Sequence, residues 1–454
     1  MDVNAAPDAS AAPRIVGSTA THIADSVRQR IERGELAPGA ALPPVRNLAD
    51  DLGVNRNTVV SAYRLLTQAG LVEARGRAGT RVVERAPLAQ EGFAHGTVLR
   101  DLAAGNPDPA LIPDLRPALS RIAGRPVLYG EPVIDRDLAA WAEEWMRTAV
   151  GDDRALRLTI TGGASDAIER LLALTLTRDD AVALEDPCFL ASLNTVRLGG
   201  YRPIAVPVDD EGMTVAGLQA ALDAGVRAVL LTPRAQNPTG ASLSAERAAA
   251  LRALLADHPY VLVIEDDHFS LLSAQPFHSV IPASHRRWAL IRSVSKFLGP
   301  DMCLAVVASD PDTAERLAER LNPGATWVSH LLQRVALEQL TDPDAVAAVA
   351  AAAAHYAARN RTAAAAFTAA GVPVVAGDGL SLWVPLPVPA RAASEQLMRR
   401  GWLARPGDEF VLDNERAARH LRVTVHDLSD AELERLASDL AAAIPAAAAT
   451  SKAG

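Results

Sequence analysis

Residues 261–296 read VLVIEDDHFSLLSAQPFHSVIPASHRRWALIRSVSK. Short apolar runs stand at 261–264 and 289–292, and each reads as a buried strand. Reactive side chains follow each run at once. Glu265-Asp266-Asp267-His268 comes after the first, and Ser293-Val294-Ser295-Lys296 after the second. Open α/β sheets place ligands at the carboxyl ends of their strands. A carboxylate there can hold a pyridine nitrogen protonated, since each opposite charge stabilises the other. The lysine stands out by count. The chain has 43 arginines and two lysines, Lys296 and Lys452, and Lys452 lies in a polar tail. Arginine is used wherever a plain positive charge suffices, so an interior lysine suggests chemistry that a guanidinium cannot perform. Schiff-base formation is the leading candidate, beside chance retention at an indifferent site.

Further β-rich runs at 182–184, 203–206, 228–231 and 304–307 alternate with helical stretches. That alternation predicts an α/β fold around a mostly parallel, doubly wound sheet. Thr161-Gly162-Gly163-Ala164-Ser165 precedes a helix, where backbone N–H groups and the helix dipole can hold a phosphate. Asn237-Pro238-Thr239-Gly240 follows another strand. An alanine-rich helical region at 345–370 leads into a smaller C-terminal α+β part ending near Ile444. Residues 445–454 read as a disordered tail.

The first 84 residues have a different pattern. Residues 1–13 are Ala/Pro/Asp/Ser-rich and predict a disordered tail. Ile23, Val27 and Ile31 mark one helix, which Gly34 stops. A second helix starts near Pro43-Pro44 and ends at Gly53. Asn55 can cap a third over 56–69, closed by Gly70, with Val59, Val60, Tyr63 and Leu66 facing inward. Strands at 71–74 and 80–83 then flank the turn Arg75-Gly76-Arg77-Ala78-Gly79. Residues 14–84 hold ten arginines against seven acidic residues, while the whole chain is 45 − 54 = −9. A basic module on an acidic body suits a DNA-binding head. Arg56, Asn57 and Thr58 sit where a recognition helix meets base edges, and Arg46, Arg75 and Arg77 where phosphates are contacted. Periodicity alone admits a helical protein-docking domain equally well. The residues favour DNA, because GELAPGAALPPVRNLADDLGVNRNTVVSAYRLLTQAGLVEARGRAGTRV (34–82) resembles the GntR-family winged helix nearly end to end.

Beyond a linker at 85–100, residues 101–444 resemble fold-type I aminotransferases, with five motifs in the family's order. With the head, the whole chain resembles a MocR-type regulator. The resemblance implies that Lys296 forms an internal aldimine with pyridoxal 5'-phosphate (PLP). It further implies that Asp266 pairs with the pyridine nitrogen, that Asn237 bonds the ring's 3'-oxygen, and that Phe189 stacks on the ring. Gly163, Ala164, Ser165 and Ser293 would hold the phosphate, and Tyr129 would reach the phosphate of a neighbouring subunit in a homodimer. Arg422 would clamp an effector carboxylate opposite Gly105. Two residues depart from the family. His268 stands where relatives carry tyrosine; an imidazole can donate to the same oxygen but titrates near neutrality. Cys303, seven residues after Lys296, stands where relatives carry a phosphate-binding arginine, with Arg292 as a candidate replacement.

The expected protein is a cytoplasmic regulator that binds two-half-site operator DNA and senses an amine, an amino acid or PLP itself. Cys188 and Cys303 are its only cysteines, which fits a reducing compartment. No secretory signal, membrane span or metal site is expected. Two alternatives remain open from sequence: an active PLP-dependent aminotransferase with an accessory DNA-binding head, and a regulator whose large domain has lost PLP.

Overall fold

The computed structural model of the chain describes residues 15–69, 71–74, 79–83, 92, 96–122, 126–151, 154–321, 327–412 and 419–451. The chain divides into two compact units between Leu88 and Ala89.

The first unit has helices Ala20–Glu32, Val45–Leu52 and Arg56–Gln68, then an antiparallel hairpin of Val72–Ala74 with Thr80–Val82. Thr19 Oγ1 accepts from the His22 N–H at 3.2 Å, and Asn55 Oδ1 from the Asn57 N–H at 2.8 Å. Each bond satisfies a donor that the first helical turn leaves unpaired. Gly53 ends the second helix at φ 64, a left-handed conformation that a Cβ resists. Ile23, Val27, Leu48, Val59, Ala62, Leu66 and Val72 fill the core. Val60 corrects the expected inward face, for it is 50% exposed. At roughly 100° per residue it lies on the side of Arg56, away from Val59, Ala62 and Leu66. Gly70, Arg75 and Arg77 lie outside the described residues.

The second unit is built on an eight-stranded sheet. Its order is Arg157–Thr161, Ala305–Ser309, Trp288–Ser293, Leu262–Asp266, Ala228–Leu231, Ala181–Asp186, Arg202–Asp209 and Gly212–Met213. The five strands from Trp288–Ser293 through Arg202–Asp209 pair in parallel. Ala305–Ser309 runs antiparallel to both neighbours, and Gly212–Met213 runs antiparallel to Arg202–Asp209. Successive side chains point to opposite faces, so the sheet has two cores. Val182, Leu184, Ile264 and Ile291 pack with Ile168, Leu193 and Leu317. Ala183, Val263 and Leu290 pack with Met146, Leu251 and Val335 on the other side. Neighbouring residues at a strand end therefore face opposite sides, which governs the site below.

The C-terminal part has a three-stranded antiparallel sheet with His420–Thr424 between Ser381–Pro385 and Arg405–Pro406. Helix Pro343–Ala369 reaches both this part and the large sheet, through Val349 and Tyr356 at one end and Ala363 and Phe367 at the other. Asp342 starts it by accepting from the N–H groups of Asp344 and Ala345. Arg100, expected to end the linker, and Asp101, expected to begin the large domain, together form a strand paired with Trp402–Leu403. The last helix, Asp430–Ser451, continues past the expected tail boundary at Ile444. Leu436, Leu440, Ala443 and Ala447 recur at helical spacing on a buried face, so the alanine-rich end has a core to join. No helix among the described residues is long and apolar enough to cross a membrane.

Candidate functional site

Gly105, Asn237, His268, Lys296 and Arg422 line one pocket. Distant segments bring them there. His268 and Lys296 follow adjacent parallel strands, Leu262–Asp266 and Trp288–Ser293. Arg422 lies in the middle strand of the small sheet. Lys296 Nζ donates to the Gly105 carbonyl at 3.2 Å. Arg422 is fully buried beneath the Phe410 ring, 4.9 Å from its centroid. Its Nη1 donates to Asn237 Oδ1 at 3.1 Å and its Nη2 to the Ala103 carbonyl at 2.7 Å. A larger cleft of about 790 Å³ shares Gly240 and Asp378 with this pocket.

Burial pushes the Asp266 carboxyl up to about 7, with the Asp267 charge adding and Lys296 opposing. Burial and the Lys296 charge push His268 down to about 4. His268 is therefore neutral at physiological pH, which corrects the near-neutral titration expected from its residue type alone. Two more carboxyls are raised by burial, Glu185 to about 8 and Glu265 to about 7. An acid whose folded value is raised binds its proton more tightly when folded. Its stabilisation is present below the unfolded value and is lost as pH climbs through the folded one. Above about pH 6.5, where His268 is neutral folded or unfolded, the cofactor-free protein is thus expected to melt at lower temperature as pH rises to about 8, because of Asp266, Glu185 and Glu265. Calorimetric scans across that range check it; a rising melting temperature contradicts it.

Phe189 and His268 have nearly parallel rings, 8° apart in plane with centroids at 6.4 Å. Gly163, at φ 108, precedes helix Ala164–Thr175, whose first turn has no side-chain cap. Ser293 Oγ accepts from the Ser295 N–H at 3.2 Å. Asp266, Phe189, Gly163, Ala164, Ser165, Ser293 and Tyr129 are not among the residues that line the pocket; Tyr129 is 89% exposed, with its ring centroid 5.4 Å from that of Trp327. In the head, Arg46, Arg56 and Asn57 are exposed, while Thr58 is half-buried.

One buried cluster was not anticipated from sequence. Asp267 accepts from Arg234 Nε and Nη2 at 3.0 and 2.7 Å and from Arg292 Nε at 2.9 Å. Arg292 also donates to the Trp145 carbonyl at 2.7 Å. Strand alternation was the available signal, since Asp266 and Asp267 must face opposite sides and Arg292 lies on the neighbouring strand. Behind Asn237, Gln236 Nε2 donates to the Pro187 carbonyl at 2.8 Å, and Gln236 Oε1 accepts from the Thr239 N–H at 3.0 Å. Arg292, the candidate replacement for a phosphate-binding arginine, has its Nε and Nη1 committed to Asp267 and the Trp145 carbonyl. Cys303 is exposed and supplies no cation. Cys303→Arg is expected to tighten PLP binding about ten- to a hundredfold, the worth of roughly 1.5–3 kcal/mol for a charge-assisted contact. Equilibrium dialysis against PLP measures it; unchanged affinity in a folded variant contradicts it.

The pocket and sheet define a fold-type I aminotransferase-like domain joined to a winged helix-turn-helix. Comparison with known families agrees. Residues 98–440 match the model "Aminotransferase class I and II", and residues 19–82 match "Bacterial regulatory proteins, gntR family". The chain belongs to the class I and II aminotransferase family and carries a gntR-family DNA-binding head, the MocR-type architecture. It is 48% identical over 428 residues to the vitamin B6 salvage pathway transcriptional repressor PtsJ of Salmonella typhimurium, covering 94% of this chain and 98% of that one. It is 27% identical over 311 residues to the pyridoxine biosynthesis transcriptional regulator PdxR of Corynebacterium glutamicum, covering 65% and 67% of the two chains. The fold resembles the multiple substrate aminotransferase from Thermococcus profundus, with TM-score 0.71 and 20% identity over 78% of this chain and 93% of that one. PLP is the cofactor of this family. The residues present fit it, for Asp266 Oδ1 is a buried carboxylate oxygen without a hydrogen-bond partner, the kind of acceptor that a cationic ring nitrogen would satisfy.

Proposed function

We propose that the protein is a cytoplasmic, dimeric transcription regulator that holds PLP on Lys296 and reports the state of that site to operator DNA. The observation that carries this reading is the convergence of Gly105, Asn237, His268, Lys296 and Arg422 on one pocket in a chain with a gntR-family head. When bound, PLP supplies an aldehyde that captures primary amines reversibly. Lys296, whose Nζ lies in the pocket beside the Gly105 carbonyl, would be the amine that holds it. Asp266 would hold the ring nitrogen, its carboxyl serving as the counter-charge to a protonated ring. Neutral His268 and the Asn237 amide donate to the 3'-oxygen, and Phe189 covers the ring. The N–H groups of Gly163, Ala164 and Ser165, with the Ser293 hydroxyl, hold the phosphate. Tyr129, exposed on one subunit, completes the phosphate site of its partner. Arg422, oriented by Asn237, receives an effector carboxylate beside Gly105. A completed transamination is not needed for sensing.

The names of the two relatives support vitamin B6 genes as targets and PLP itself as a signal, beside amines and amino acids. Borohydride reduction of the PLP-loaded protein, then peptide mapping, tests the site. A pyridoxyl group is expected on Lys296; its appearance on Lys452, or no label, contradicts the reading. On DNA, Arg56→Ala is expected to cost ~1–3 kcal/mol on a genomically selected operator and little on random duplex. Arg46→Ala is expected to weaken both equally and lower the salt slope by about one unit. Anisotropy titrations at several salt concentrations measure both; a full-length protein that prefers no genomic site contradicts the regulator reading.

A further inference from the structure

Val60 is an apolar side chain placed where packing does not need it. It is 50% exposed in the middle of helix Arg56–Gln68. Residues four apart follow one ridge of a helix. Arg56, Val60 and Arg64 therefore form a line along the outer face, with Asn57 beside it. Val59, Ala62, Tyr63 and Leu66 hold the opposite side and supply the core contacts. The charges around this ridge are uncommitted. Among the described residues Arg46, Arg56 and Arg64 have no ion-pair or hydrogen-bond partner, whereas Arg28 lies within salt-bridge distance of Asp25 and Arg30 of Glu35. Free cations flanking a bare apolar side chain suit a polyanion that also presents apolar groups. The major groove of DNA is such a surface, for phosphates border it and the C5-methyl of thymine is the apolar group on its base edges.

We infer that Val60 reads a thymine methyl group in each operator half-site, with Arg56 and Arg64 fixing its register. The inference rests on the reading that this helix enters the major groove. Cytosine presents an amino group and no methyl at the corresponding edge, so the contact separates T·A from C·G.

The test uses the full-length protein and an operator duplex obtained by genomic selection. Each thymine of one half-site is replaced in turn by uracil, which removes the C5-methyl and nothing else. At one position uracil is expected to weaken binding about fourfold, the worth of one buried methyl group. Val60→Ser, at an exposed site and checked by melting, is expected to bind the thymine and uracil duplexes equally at that position. Wild-type binding that ignores uracil at every position overturns the inference, as does undiminished discrimination by Val60→Ser. Either result leaves the regulator reading standing. A protein that selects no site overturns both.

Discussion

Lys296→Arg is expected to remove covalently held PLP completely. Arginine preserves the positive charge opposite Asp266 and a donor for the Gly105 carbonyl, so the pocket keeps its electrostatic balance. A guanidinium with a pKa above ~12 stays protonated and cannot condense with an aldehyde. The absorbance of PLP should leave the protein on gel filtration, and borohydride should fix none of it. Retention of reducible PLP by the variant contradicts the assignment. The sequence makes the result easy to read, because Lys452 is the sole other lysine.

Asp267→Ala is expected to destabilise the large unit by ~3–5 kcal/mol, the penalty for stranding buried charges by deleting their partner. Asp267 is fully buried, and it is the carboxylate shared by Arg234 and Arg292. Both guanidiniums are largely buried, with side-chain exposures of 10% and 5%, so water cannot readily replace the lost acceptor. Urea denaturation measures the change; a loss below ~1 kcal/mol means that Arg234 and Arg292 find other partners. Asp267 adjoins Asp266, so the same substitution is also expected to weaken PLP binding.

The strand ends were legible because a short apolar run followed by a polar residue has one simple explanation in an α/β chain. All six runs read from the sequence correspond to strands of the sheet. Arg157–Thr161 escaped because an edge strand alternates polar and apolar residues instead of presenting an apolar run. Lys296 could be picked out by its rarity. Asp267 could not, since its importance comes from two arginines, one 33 and the other 25 residues away along the chain. The low pKa of His268 was invisible for a related reason: desolvation depends on what folds around a residue. The sequence places Val60 in the core because helical periodicity does not say how wide the buried stripe is. Composition alone makes residues 445–451 look like a tail, although Ala447 packs against the last buried face.

PLP on Lys296 is expected to change how the head binds DNA. The direct measurement is operator affinity of the full-length protein with and without PLP, by anisotropy at fixed salt, beside Lys296→Arg. PLP is expected to shift the affinity of the wild-type protein and to leave that of Lys296→Arg unmoved. Equal affinity of the wild-type protein in both conditions, or the same shift in the variant, would contradict it.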